Sequence, residues 1–181
     1  INITLLFSIG AYERVARAYI EALAARKAKS LPIDRIASVA SFFVSRVDTL
    51  VDKQLDEKIA ASTDATQKGW LESLKGKAAV ANAKIAYQSF EKLFSGERWA
   101  SLAAEGAAVQ RPLWASTSVK NPAYPDTMYV DDLIGPHTVN TMPRPTIEAF
   151  LDHGTVARTI DKDLPAAYKT MEDLAAAGID M

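Results

Sequence analysis

Lys120 stands in the stretch WASTSVKNPAYPD, residues 114–126, between small hydroxyl residues and a loop marked by two prolines. A lysine at the mouth of a strand has three roles open to it: imine formation with a carbonyl substrate, anchoring of a phosphate, or solvation as a surface charge. Five further polar residues share an unusual setting. Asn2, Thr4, Ser41, Ser116 and Asn140 fall within or at the ends of apolar segments that read as buried strands, where an unpaired polar group costs about 1–3 kcal/mol. Such residues either find partners inside the protein or face a wet lumen that binds ligand. His137 and His153 stand beside the turn residues Pro136 and Gly154 and read as surface residues, not ligands.

The elements that must position these groups follow from periodicity. INITLLF alternates Asn2 and Thr4 with Ile1, Ile3 and Leu5, a short strand with one polar face. Tyr12, Val15, Ala16, Tyr19, Ile20 and Leu23 then recur at helical spacing, and an apolar run from about Ile36 to Val44 predicts a second strand. A long helical region covers about 47–106, with breaks expected at Gly69, Gly76 and Gly96. Within it Tyr87, Phe90, Leu93 and Phe94 mark a core face, and the charges of VDKQLDEK read as a solvated one. VQRPLWAS predicts a third strand and TVNTMP a fourth, followed by a helix that opens at Pro143 and closes at Gly154. Strands alternate with helices and no hairpin signal joins successive strands, which is the signature of parallel βα units in an α/β fold. Four units make either a small open sheet or half of an eight-stranded barrel, and periodicity leaves both open.

Composition narrows the function classes. Of 181 residues 49% are hydrophobic and 24% charged, which fits a globular chain; a formal net charge of −1 gives no basic footprint for nucleic acid. No apolar run reaches the roughly 18–20 residues that cross a bilayer, so no membrane partner is expected. The absence of cysteine excludes disulfides and thiolate metal sites and fits a cytoplasmic protein. The start lacks methionine and reads as strand interior, and the last helical pattern stops at Gly178 with only three more residues after it, so both ends read as truncated.

The words NITLLFS, SFFVSRVD, GKAAVANAKIAYQSFEKLF, RPLWASTSVKNPAYPDTMYVDDLIGP and TVNTMP, in this order and spacing, resemble transaldolase over nearly the whole chain. The resemblance implies half of a (β/α)8 TIM barrel, with residues 1–181 supplying the fifth to eighth strands and their helices as the C-terminal-side part of one barrel domain. It also implies transfer of a dihydroxyacetone unit from a ketose phosphate to an aldose phosphate through a lysine imine, with no metal and no organic cofactor. The imine lysine of the family lies just before the segment matching NITLLFS, and its acid–base carboxylates lie earlier still. None of these falls in this chain, which is therefore expected to be inactive alone.

Residue by residue, the resemblance assigns Asn2 and Ser41 to hydroxyls of the dihydroxyacetone unit, Thr4 to a water used in proton transfer, and Phe43 to the pocket wall. Arg46 matches a phosphate-binding arginine. Lys120 falls where many members carry a second one, and an ammonium there acts as a point charge without the bidentate fork. Phe42 and Ser45 replace a common proline and glycine, which marks a subfamily. Asn140 matches less closely. Sugar phosphates are the expected ligands, and the other half of the barrel, or another copy of this half, the expected protein partner. Two rivals stay open on the sequence: a non-catalytic sugar-phosphate-binding or assembly half-barrel, and a related aldolase that cleaves without transferring.

Overall fold

A computed structural model describes residues 1–180. Its elements run β1 (Asn2–Leu6), α1 (Ile9–Ala28), β2 (Ser38–Phe43), α2 (Ser45–Ala61), α3 (Ala65–Glu72), α4 (Ala78–Leu93), α5 (Glu97–Ala103), β3 (Gln110–Ala115), α6 (Met128–Asp131), β4 (Val139–Asn140), α7 (Arg144–His153) and α8 (Leu164–Ala176). The four strands form one sheet in the order β1-β2-β3-β4, every pairing parallel, as the alternation of strands and helices predicts. Among the described residues no helix is long and apolar enough to cross a membrane.

One face of the sheet is sealed by aromatic packing. Tyr12 of α1 meets Phe42 edge-on with centroids 6.4 Å apart, and Phe42 meets Trp114 of β3 edge-on at 6.1 Å. Such edge-to-face contacts place the positive ring edge on a negative ring face. Trp114 satisfies its buried indole N–H by donating to the Leu133 carbonyl at 3.1 Å. Phe42 thus occupies the centre of the core. Tyr87 and Phe90 are buried as their spacing predicts, with Leu93 and Phe94 packed beside them.

Three local expectations are corrected. First, Leu5 leaves the apolar face of β1: it has φ 63° and is 61% exposed, while Leu6 is buried instead. The pairing steps from Ile3↔Ala40 to Leu6↔Phe42, so Thr4 and Leu5 together oppose Ser41 in a bulge. Second, Gly69 lies inside α3, and the chain breaks before it, where the Asp64 carboxylate accepts the Thr66 amide at 2.8 Å. An interior glycine costs a helix only about 1 kcal/mol, so a good N-cap decides the boundary. Third, β4 keeps only Val139 and Asn140 of the predicted TVNTMP, because Pro143 has no N–H to continue the ladder and leads straight into α7. Gly76 does break the helical region, at φ 70°, and Gly96 precedes α5.

Removing the central ring should expose how much this packing contributes. Phe42→Ala is expected to lower the unfolding free energy by about 3–5 kcal/mol, against less than about 0.5 kcal/mol for Leu151→Ala on the surface, as read by urea denaturation.

Candidate functional site

Side chains alternate along a strand, so the face opposite Phe42 and Trp114 carries Asn2, Thr4, Ser41 and Phe43. Ser41 is buried, and its hydroxyl donates to Asn2 Oδ1 at 2.8 Å. That bond uses the serine proton and leaves its lone pairs, together with the exposed Asn2 amide N–H groups, for a ligand rich in hydroxyls. Thr4 is exposed on the same face, and the bulge sets it opposite Ser41. Phe43 is half-buried against Phe7, their centroids 5.1 Å apart. The Arg46 guanidinium lies over the Phe43 ring, 5.2 Å from its centroid. A cation held on a ring face is steered without a carboxylate partner, and among the described residues Arg46 makes no ion pair. Arg46 also sits in the first turn of α2, the end at which the helix dipole favours an anion.

The ends of β2 and β3 are fastened to each other. Ser45 and Ser116 share a hydroxyl hydrogen bond at 2.9 Å, and the Ser45 amide donates to the Ser116 carbonyl at 3.0 Å. Ser45 is thereby tied to a residue with φ 57°. Thr117, fully buried, donates to Asn140 Oδ1 at 2.8 Å, and the Asn140 amide donates to the Tyr129 carbonyl at 3.1 Å. Asn140 is thus engaged in holding the β3 loop to β4. Lys120 is exposed farther along that loop, its ammonium on Ser118 Oγ at 2.5 Å.

The structure therefore brings Asn2 to Ser41 and Phe43 to Arg46, with Thr4 on the same face. It does not bring Lys120 against Arg46. Arg46 borders a cleft of about 310 Å³ with Phe7, Val47, Leu50 and Ile179. Lys120 borders another of about 270 Å³, with Asp48, Asp52, Asp56 and Tyr124. Helix α2 contributes to both clefts, and the Ser45–Ser116 bond joins the two loops at their bases.

Sequence reasoning missed the carboxylates behind Lys120. Asp52 belongs to VDKQLDEK, read as solvated, yet it is only 9% exposed, and Asp48, one turn earlier, is 2% exposed. Asp48 accepts the Ala79 amide at 2.8 Å and the Tyr129 hydroxyl at 2.6 Å. Asp52 accepts the Gly76 amide at 2.9 Å and the Tyr124 hydroxyl at 2.6 Å. The signal was present: Asp48 and Asp52 recur at i, i+4 beside Val47, Val51 and Leu55, on the stripe that buries. Lys53, Asp56 and Glu57 remain exposed as predicted.

Comparison with known proteins now bears on this geometry. A family model described as Transaldolase/Fructose-6-phosphate aldolase matches residues 1–181. The chain belongs to the transaldolase/fructose-6-phosphate aldolase family. It is 54% identical over 181 residues to a protein named Transaldolase from Trichodesmium erythraeum, covering 100% of this chain and 48% of the relative. It is 52% identical over 180 residues to the Transaldolase of Renibacterium salmoninarum, covering 99% of this chain and 46% of that one. A Transaldolase 2 from a Nostoc species is 48% identical over 182 residues, with 100% and 48% covered. The chain spans about half the length of these curated relatives.

In this family member the buried Asp48 carboxyl differs from a surface acid. Burial pushes the Asp48 carboxyl from 3.8 up to about 6; the Tyr129 and Ala79 hydrogen bonds pull it back, and the neighbouring Asp52 charge adds to the rise. A carboxyl raised in the folded state takes up its proton more readily there than in the unfolded chain. Its contribution to stability is therefore complete below about pH 3.8 and lost as pH rises through about 6. Asp48→Asn cannot titrate, so the stability of the variant relative to the parent should rise between pH 4 and pH 8, by up to about 3 kcal/mol. Urea denaturation at each pH checks this; a difference that stays flat with pH contradicts it.

Proposed function

We propose that residues 1–181 are the substrate-gripping half of a transaldolase barrel, contributing its fifth to eighth strands. The complete cytoplasmic enzyme transfers a dihydroxyacetone unit from sedoheptulose 7-phosphate to glyceraldehyde 3-phosphate, giving erythrose 4-phosphate and fructose 6-phosphate. The observation that carries the reading is the placement of Asn2, Ser41, Phe43 and Arg46 on one face, at and beyond two neighbouring parallel strands, in a chain matched to the family from end to end. Phe43 and Arg46 lie at and just beyond the carboxyl end of β2, the end at which ligand sites of α/β sheets gather.

The roles follow from the chemistry of each group. The imine forms on a lysine of the other half, where it acts as the electron sink for carbon–carbon cleavage. Asn2 and Ser41 hold the hydroxyls of the dihydroxyacetone unit in a geometry fixed before substrate arrives, so no reorganisation is needed as charge develops. Thr4 orients the water that relays a proton, and Phe43 walls the pocket. Arg46, aided by the first turn of α2, takes the phosphate with Lys120 as a second positive charge. The open edges of β1 and β4 carry unpaired backbone groups, which the complementary half of the barrel would cover.

Two experiments test this. In the complete enzyme, Arg46→Ala and Lys120→Ala should each lower kcat/KM for phosphorylated sugars about 10- to 100-fold while leaving dihydroxyacetone or free fructose nearly unaffected. Equal damage to both substrate types would remove the phosphate role. Residues 1–181 alone, incubated with fructose 6-phosphate and borohydride, should yield no turnover and no adduct; a trapped adduct on Lys120 would overturn the assignment of the imine to the other half.

A further inference from the structure

We propose that Asp52 and Tyr124 are positioning residues for the phosphate grip: the Tyr124–Asp52 hydrogen bond, with the tyrosine ring seated on Gly76, registers the Lys120 loop against α2. The inference rests on the phosphate role given above to Lys120.

The loop from Ser116 to Thr127 leaves β3 and returns to α6. Its base is fixed by the Ser45–Ser116 and Thr117–Asn140 bonds. Beyond that base its hydrogen bonds turn inward. Lys120 donates to Ser118, the Ala123 amide to Asn121 Oδ1, and the Tyr124 amide to the Asn121 carbonyl. These shape the loop but move with it. Val119 packs partly against the core, a contact without directional preference. Among the described residues, the Tyr124 hydroxyl on Asp52 is the hydrogen bond by which residues 118–124 reach another element.

That bond is built to hold one position. At 2.6 Å it joins a hydroxyl to a buried carboxylate whose other oxygen is occupied by the Gly76 amide, so the Asp52 side chain is fixed at both oxygens. Gly76 lacks a side chain where the ring lies: a Cβ there would come within 2.7 Å of the tyrosine ring. Its φ of 70° is in the region glycine favours. Helix, glycine turn and loop thus meet on a single carboxylate. The same helix carries Arg46 six residues earlier, about 9 Å along its axis. One rigid element therefore sets the spacing between the two cations, although they border different clefts.

The test uses the complete enzyme. Tyr124→Phe removes one oxygen and keeps the ring on Gly76. It should raise KM for fructose 6-phosphate about 3- to 10-fold with kcat within about twofold, and weaken competitive inhibition by inorganic phosphate by the same factor. Turnover of dihydroxyacetone or free fructose should stay within about twofold. Combined with Lys120→Ala, the change should add little to that of Lys120→Ala alone, because both act on one contact. Asp52→Ala, which removes both acceptor oxygens, should show the same substrate split. Equal loss on phosphorylated and unphosphorylated substrates, or full additivity with Lys120→Ala, overturns the proposal. So does an unchanged KM in Tyr124→Phe while Lys120→Ala raises it, an outcome that spares the phosphate reading. If Lys120→Ala itself leaves phosphorylated substrates untouched, the phosphate reading falls and this proposal with it.

Discussion

Two carboxylates placed one turn apart on the inner face of α2 constrain the end of the molecule where the candidate site lies. Asp48 and Asp52 each accept one backbone amide from the α3–α4 region and one tyrosine hydroxyl from the segment after β3. A buried carboxylate without partners is costly, so the surrounding chain must deliver its donors to those points or lose several kcal/mol. Gly76, Ala79, Tyr124 and Tyr129 are those donors, drawn from two segments distant in sequence. The price is visible in Asp48, whose carboxyl is pushed up to about 6 because burial outweighs its two hydrogen bonds.

With α2 fixed in this way, groups on three strands fall into a common frame. The first turn of α2 follows directly from β2, and Ser45 reaches across to Ser116 at the end of β3. On the other side of β2, Ser41 reaches Asn2 of β1. Hydroxyls and amides thus stitch neighbouring strands and leave polar surface at the candidate site. Leu5 and Ser116 both adopt positive φ at strand ends, a conformation that costs a residue with a side chain about 1–3 kcal/mol. At Leu5 the return is direct: the bulge turns Leu6 into the core while keeping Thr4 on the face of Asn2.

Much of this was readable because it depends on local periodicity. The parallel βα order, the Tyr12 helix, the Tyr87–Phe90 face and the stops at Gly76 and Gly96 all follow from residue spacing. The strand-end polar residues Asn2, Thr4 and Ser41 were conspicuous because polar groups within apolar runs demand an explanation. Most of what escaped had tertiary causes. Asp52 looked like one charge among several in VDKQLDEK, and only the arrival of Tyr124 and Gly76 from elsewhere makes its burial affordable. Leu5 broke the alternation through a bulge that no periodicity encodes. Asn140 was left open between a lumen role and a structural one, and its partners Thr117 and Tyr129 show it fastening a loop. At residue 69, glycine was a weaker stop than the Asp64 cap that precedes it.

The most direct test of the proposed function is a crystal structure of the complete protein after treatment with fructose 6-phosphate and borohydride, which would trap the sugar on the proposed imine lysine. The account places the substrate phosphate within hydrogen-bond distance of both the Arg46 guanidinium and the Lys120 ammonium, at the first turn of α2, with Tyr124 still on Asp52. A phosphate held by other cations, with Lys120 left in solvent, would contradict it.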